Sequence, residues 1–183
     1  MMSQGMQNQN LLVITAIAPN QPGMANEITD LITYCGCNIQ QSKMKAMGNT
    51  FSLVLMASGE WNAIAKLEHI LPSKAQSWGM TTMVQRTEPQ VAKPNMLPYR
   101  VKIVALDNLG ITKEVTAFFA EQDIDIGEMT CNTFEAQHSG TPIGEIKLTI
   151  SVSTSIIISS LREKFDMFCK KLNLDASLEP ITK

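Results

Sequence analysis

The sequence predicts an α+β chain of two similar halves, each a βαββαβ unit with an antiparallel sheet and two helices on one face. Three observations carry this. First, setting Gly23 over Gly110 gives an offset of 87 at which APNQPG (18–23) lies over ALDNLG (105–110), Glu27 over Glu114, Ile28 over Val115 and Asn38-Ile39 over Asp125-Ile126. Second, the apolar residues change period several times inside each half, as strands give way to helices. Third, TEPQVAKPNMLP (87–98), with three prolines and few apolar residues, separates the copies and reads as an extended connection.

The elements follow in order. Residues 11–18 and 99–106 are short apolar or alternating runs, hence strands. Met24, Ile28, Leu31 and Ile32, and their counterparts Ile111, Val115, Phe118 and Phe119, fall at i, i+4, i+7 and i+8, the stripe of an amphipathic helix. Two strands come next, near 37–47 and 50–58 and near 124–136 and 144–153. A second helix is marked by Trp61, Ile64, Leu67 and Leu71, and again by Ile158, Leu161, Phe165 and Phe168. Closing strands are expected near 80–86 and 173–179. One apolar face per helix places both helices on one side of each sheet, the ferredoxin-like arrangement. The expected organisation is a flexible tail (1–10), a first domain (11–87), a linker (88–98) and a second domain (99–183).

Strand alternation assigns Ile14, Ala16, Leu53 and Leu55 to the helix-covered side of the first sheet, and Val101, Ile103, Leu148 and Ile150 to that of the second. The opposite sides differ. Val13, Thr15, Ile17, Val54 and Met56 make an apolar face in the first unit; Arg100, Lys102, Val104, Lys147, Thr149 and Ser151 make a polar one in the second. An apolar sheet face is costly in water, so the first is expected to be covered by the linker, another subunit or a partner protein.

Composition narrows the function. The chain has 183 residues, room for two domains of ~90 residues. Aromatics are only 5% and methionines number 12, so aliphatic and thioether groups fill much of the interior. Fifteen Lys+Arg balance seventeen Asp+Glu with no basic cluster, which argues against direct nucleic-acid binding. The opening MMSQGMQNQN lacks a signal-peptide layout and no apolar run reaches the ~20 residues that cross a bilayer, so no membrane association and a cytoplasmic location are expected. Cys35, Cys37, Cys131 and Cys169 show no disulfide-framework spacing and read as buried thiols.

The junction APNQPGMANEI (18–28) is where function is expected. A helix start leaves N–H groups without intrahelical partners, and with the helix dipole they favour an anion such as a carboxylate. Gly23 removes the side chain that would block approach, and Asn20 and Gln21 add neutral donors and acceptors. Asp107, Asn108 and Gly110 stand in the same place in the second half. The same residues would also serve as a plain strand-to-helix turn.

A βαββαβ unit with D/N-x-x-G between first strand and first helix, and N/D-I opening the second strand, resembles the ACT domain, a regulatory module that commonly binds amino acids. ITAIAPNQPG, YCGCNIQQSKM, SGEWNAI and ILPSKA further resemble the glycine cleavage system transcriptional repressor family, over residues 10–180. The resemblance implies a repressor that acts on a LysR-type transcription activator of the glycine cleavage genes, with glycine as the relieving small amino-acid ligand. It also implies pairing of units side by side, within a chain or in a homodimer, with ligand held between the first loop of one unit and the second strand of its neighbour. The implied ligand-binding residues are Asn20, Gln21, Gly23, Met24, Asn38 and Ile39, then Asp107, Asn108, Gly110, Ile111, Asp125 and Ile126. Asn20 stands where such loops often have Asp, and Leu109 where Pro is common. Pairing has a physical motive too, since the second strand lies at a sheet edge with unsatisfied backbone groups.

Catalytic, metal and other cofactor roles find no support in the sequence. His69 and His138 have no neighbouring nucleophile motif, and His69 reads as a helix-surface residue. Cys35-Gly-Cys37 lacks the second pair that zinc needs and reads as a helix end at which Gly36 turns the chain. Trp61 and Trp78 read as packing residues. The long connection FEAQHSGTPIGEI (134–146) is expected to be a mobile tip or a partner contact. The competing functional readings are an amino-acid-sensing regulatory subunit of a metabolic enzyme, a small enzyme, and a direct DNA binder.

Overall fold

A computed structural model describes residues 10–181 except 92, 107, 109 and 138. The first half runs β1 (Asn10–Pro19), α1 (Met24–Tyr34), β2 (Asn38–Met47), β3 (Thr50–Gly59), α2 (Trp61–Ser77) and β4 (Thr81–Thr87). The second repeats it as β5 (Met96–Leu106), α3 (Ile111–Glu121), β6 (Asp125–Glu135), β7 (Pro142–Ser153), α4 (Ile158–Leu172) and β8 (Asp175–Pro180). Each half is an antiparallel four-stranded sheet, in the orders β2-β3-β1-β4 and β6-β7-β5-β8. This is the ferredoxin-like α+β fold, twice. The chain divides into compact units at residues 1–91 and 92–183.

Each unit is built around its own core. In the first, Ile28, Leu31 and Ile32 of α1 and Ile64, Leu67 and Leu71 of α2 pack with Ile14, Leu53 and Leu55 of the sheet. In the second, phenylalanines cluster within an otherwise aliphatic core: the Phe118 ring lies edge-on to Phe119 at 5.2 Å and stacks on the half-buried Phe168 at 4.8 Å, with Phe165 beside them. Apolar burial of this kind supplies the main driving force for folding. All eight sheet residues assigned to the helix side are buried. On the other side of the first sheet Ile17 and Val54 are exposed, and Val13, Val54 and Met56 line a broad groove of about 460 Å³ with Gln41, Ser42 and Lys43.

Several boundaries differ from the sequence reading. Asn10 already belongs to β1, while residues 1–9 of the expected tail lie outside the described residues. β5 begins at Met96, because Met96 and Leu97 pair with Ser153 and Val152, so the expected linker ends in strand. The expected 134–146 connection shrinks to residues 136–141, since β6 and β7 stay paired as far as Glu135 and Pro142. Trp61 leads the apolar stripe of α2 in sequence yet is exposed, its ring facing the Arg86 guanidinium at 5.8 Å. Arg86 itself is held by Glu68 at 2.7 Å. Cys35, Cys37 and Cys169 are buried thiols, but Cys131, on the edge strand β6, is exposed. Burial pushes the Cys169 thiol up to about 11, with a smaller push from Asp166, and raises those of Cys35 and Cys37.

Candidate functional site

The two strand-to-helix bends are alike in backbone. Gly23 and Gly110 occupy the helix N-cap positions at φ 95° and 93°, the left-handed region that L side chains rarely adopt. A Cβ at either position would meet no atom within 4 Å, so backbone conformation and not crowding explains the glycine. The first intrahelical bonds are donated by Glu27 N–H to the Gly23 carbonyl (2.9 Å) and by Glu114 N–H to the Gly110 carbonyl (3.0 Å). The amides before them in the first turn have no carbonyl of their own helix to reach. Met24 and Ile111 make only long contacts, 3.5 Å, to the carbonyls of Gln21 and Asn108. Neither cap has a side-chain hydrogen bond. Asn20 N–H donates to the Asn49 carbonyl (2.9 Å), which ties the first bend to the β2–β3 hairpin. Asn20, Gln21, Gly23, Asn108 and Gly110 are exposed, and Met24 and Ile111 half-buried. Asp107 and Leu109 lie outside the described residues, as does His138.

Asn38-Ile39 and Asp125-Ile126 are elsewhere in their units. Asn38 pairs with Ser58, which pairs with Leu11, whereas the bend follows Pro19 at the far end of β1. Eight residues of strand separate the two levels, about 26 Å at ~3.3 Å per residue. In the second unit Asp125 is level with Ser151 and Pro98, eight residues before Leu106. Neither unit therefore brings its own N/D-I pair to its own bend. The Asn38 side-chain oxygen accepts from Ile39 N–H (3.0 Å) and the Asp125 carboxylate pairs with Lys93 (3.0 Å). Both pairs sit beside a β-bulge, at Ile39/Gln41 and Ile126/Glu128, the kind of irregularity that re-aims side chains at an edge.

What lies beside the second bend is the far half of β6. Asn108, Ile111 and Thr112 meet Cys131, Asn132 and Thr133 there across Gly144, and with Ile103, Ala105, Glu145 and Ile146 they line a crevice of about 60 Å³. Its floor is apolar, Ile103 and Ile146 being buried. Its rim is polar: the Thr112 hydroxyl lies 3.9 Å from the Cys131 sulfur. Glu145 directs its carboxylate to Lys147 (2.7 Å) and Lys102 (3.2 Å), whose hydrogen bonds hold it below the usual carboxylate range. Thr112, Cys131, Thr133 and Gly144 were not among the sequence-predicted residues. A small crevice with a few polar groups on an apolar floor can orient a small polar molecule. Among the described residues no cluster of three or more His, Cys, Asp or Glu could hold a metal ion, and no helix is long and apolar enough to cross a membrane.

The fold recurs in known proteins. The ACT domain family profile matches residues 10–85. The glycine cleavage system transcriptional repressor of Escherichia coli (strain K12) is 28% identical over 174 residues, 95% of this chain and 92% of that protein, and its Shigella flexneri counterpart matches equally. A crystal structure assigned as a glycine cleavage system transcriptional repressor superposes with a TM-score of 0.72 at 30% identity, covering 97% of this chain and all of the other. A protein from Galdieria sulphuraria has the same two-unit fold at TM-score 0.78 and 17% identity, covering 96% and 100%.

Proposed function

Since the chain belongs to the glycine cleavage system transcriptional repressor family, and so has a regulatory role, we propose that it is a non-enzymatic regulator that responds to a small amino acid, glycine first, and controls transcription through a protein partner. The observation that carries this reading is the match along both units at once, which no single-domain likeness supplies. The partner is a LysR-type transcription activator, and the charge balance, with no basic cluster to neutralise phosphates, favours that indirect route over direct DNA contact.

The ligand's carboxylate is received at a strand-to-helix bend. Open first-turn amides, the helix dipole and a glycine that leaves the approach clear suit an anion of that size. Asn20, Gln21, Gly23 and Met24 at the first bend, and Asp107, Asn108, Gly110 and Ile111 at the second, are the candidate binding residues. Asn38, Ile39, Asp125 and Ile126, remote from their own bends, contribute only if an edge strand from another unit or chain is brought alongside. β2 and β6 are both sheet edges with backbone groups open to such pairing, and a homodimer is part of this reading. The chain is read as working in the cytoplasm, where the activator and free amino acids are.

Affinity purification of the tagged full chain from a bacterial extract tests the reading. Recovery of a DNA-binding activator in glycine-free buffer, and its release by glycine, is the expected outcome. Recovery of a metabolic enzyme in its place would support a regulatory subunit, and retention of promoter DNA by the purified chain alone at moderate salt would overturn the indirect mechanism.

A further inference from the structure

We propose that the two units are unequal, the second alone admitting a small neutral amino acid, with Gly144 as the residue that opens its crevice and Phe51 as the residue that closes the equivalent place in the first. This rests on the amino-acid reading given above. Strand pairing fixes the equivalence: Phe51 pairs with Ala18 and Ala46, and Gly144 pairs with Ala105 and Thr133, the same positions of the two sheets. Phe51 is 9% exposed and belongs to the first core, so a ring fills the space that glycine leaves vacant beside α3.

The surroundings change in the same sense. Thr112, Cys131 and Thr133, on the crevice of the second unit, are matched in the first by Ala25, Met44 and Ala46. At these three positions a hydroxyl or thiol is exchanged for a methyl or a long thioether, which removes hydrogen-bonding capacity, and Met44 is bulkier than the cysteine in its place. The size of the crevice sets the ligand class. About 60 Å³ leaves room for only a few heavy atoms beyond what the bend itself receives. That room favours glycine, alanine and serine over branched and aromatic amino acids.

Calorimetric titration of the full chain with glycine, alanine, serine, valine and phenylalanine tests this. One equivalent of glycine per chain is expected, weakened at least about tenfold by Gly144→Phe, since filling a small pocket excludes ligand by that order. A second readout uses the exposed Cys131: glycine should slow its alkylation in the wild-type chain, and does so whether or not Gly144→Phe folds. Two equivalents per chain, or undiminished binding in a folded Gly144→Phe, would overturn the asymmetry and leave the sensor reading standing. Absence of any amino-acid heat in the wild-type chain would overturn both.

Discussion

Replacing Gly23 with alanine isolates one physical quantity, the cost of a left-handed residue at a helix N-cap. The added Cβ meets nothing within 4 Å, so no contact is strained and no cavity is filled. At φ 95° an L residue costs about 1–2 kcal/mol relative to glycine. Alanine also restricts the unfolded chain, which returns about 0.4–1 kcal/mol. The net loss is about 1 kcal/mol, and for a unit of ~90 residues that lowers the melting temperature by about 4–8 °C. The assay is built in. Both tryptophans, Trp61 and Trp78, lie in the first unit, so their fluorescence follows that unit alone. Gly23→Ala should lower the tryptophan-detected transition by that amount, Gly23→Asn by less, since Asn tolerates this region, and Gly110→Ala should leave it in place. A Gly23→Ala chain that melts with the wild type would refute the reasoning, because the bend would then not be held where the structure has it.

Four further outcomes rest on packing and charge. Phe119→Ala removes a fully buried ring from the second core and should cost about 3–5 kcal/mol, enough to unfold that unit while the tryptophan signal of the first persists; circular dichroism and fluorescence together check it. Of the four thiols, Cys131 should react with a maleimide well before Cys35, Cys37 and Cys169, as peptide mapping after brief exposure would record. Because the Cys169 thiol is raised in the folded state to about 11, its contribution to stability is complete below the ordinary thiol range near 9 and is lost as pH climbs toward 11; Cys169→Ala should flatten that alkaline decline in denaturant midpoint. The Glu68 carboxyl is depressed by its hydrogen bonds from Arg86, so the pair's contribution is present above the ordinary carboxyl range and is lost as pH falls through the lowered value; Arg86→Met should reduce the acid sensitivity of the tryptophan transition.

The architecture was legible because the repeat and the periodicity report the same thing. The stripe at Ile28, Leu31 and Ile32 and the alternation at Ile14, Ala16, Leu53 and Leu55 each reflect one face turned to a core, and all seven residues are buried. Trp61 was misplaced because it sits at the first turn of α2, where the stripe runs past the end of the core and a large ring can lie flat on the surface beside Arg86. The bends were legible from Gly23 and Gly110, whose positive φ is a property of the residue type.

The crevice was not legible, and its reason is specific. The β6–β7 connection carries four more residues than the β2–β3 connection, and at that end β6 and β7 each run one residue further than β2 and β3, so the gap-free offset of 87 lays Phe51 over His138, while pairing in the sheets lays it over Gly144 at an offset of 93. Only the register reveals that a phenylalanine and a glycine share one position. The N/D-I pairs illustrate the opposite limit. Their motif is visible in the sequence, but their distance from the bends depends on which way β2 and β6 run, and that places them at the other end of the sheet.

Amide hydrogen–deuterium exchange of the full chain, with and without saturating glycine, reads the bend amides themselves. Slowed exchange is expected at Ile111–Lys113 and at Cys131–Thr133, with Met24–Asn26 unchanged. Glycine that binds yet leaves the α3 amides exchanging at their free rate would contradict it.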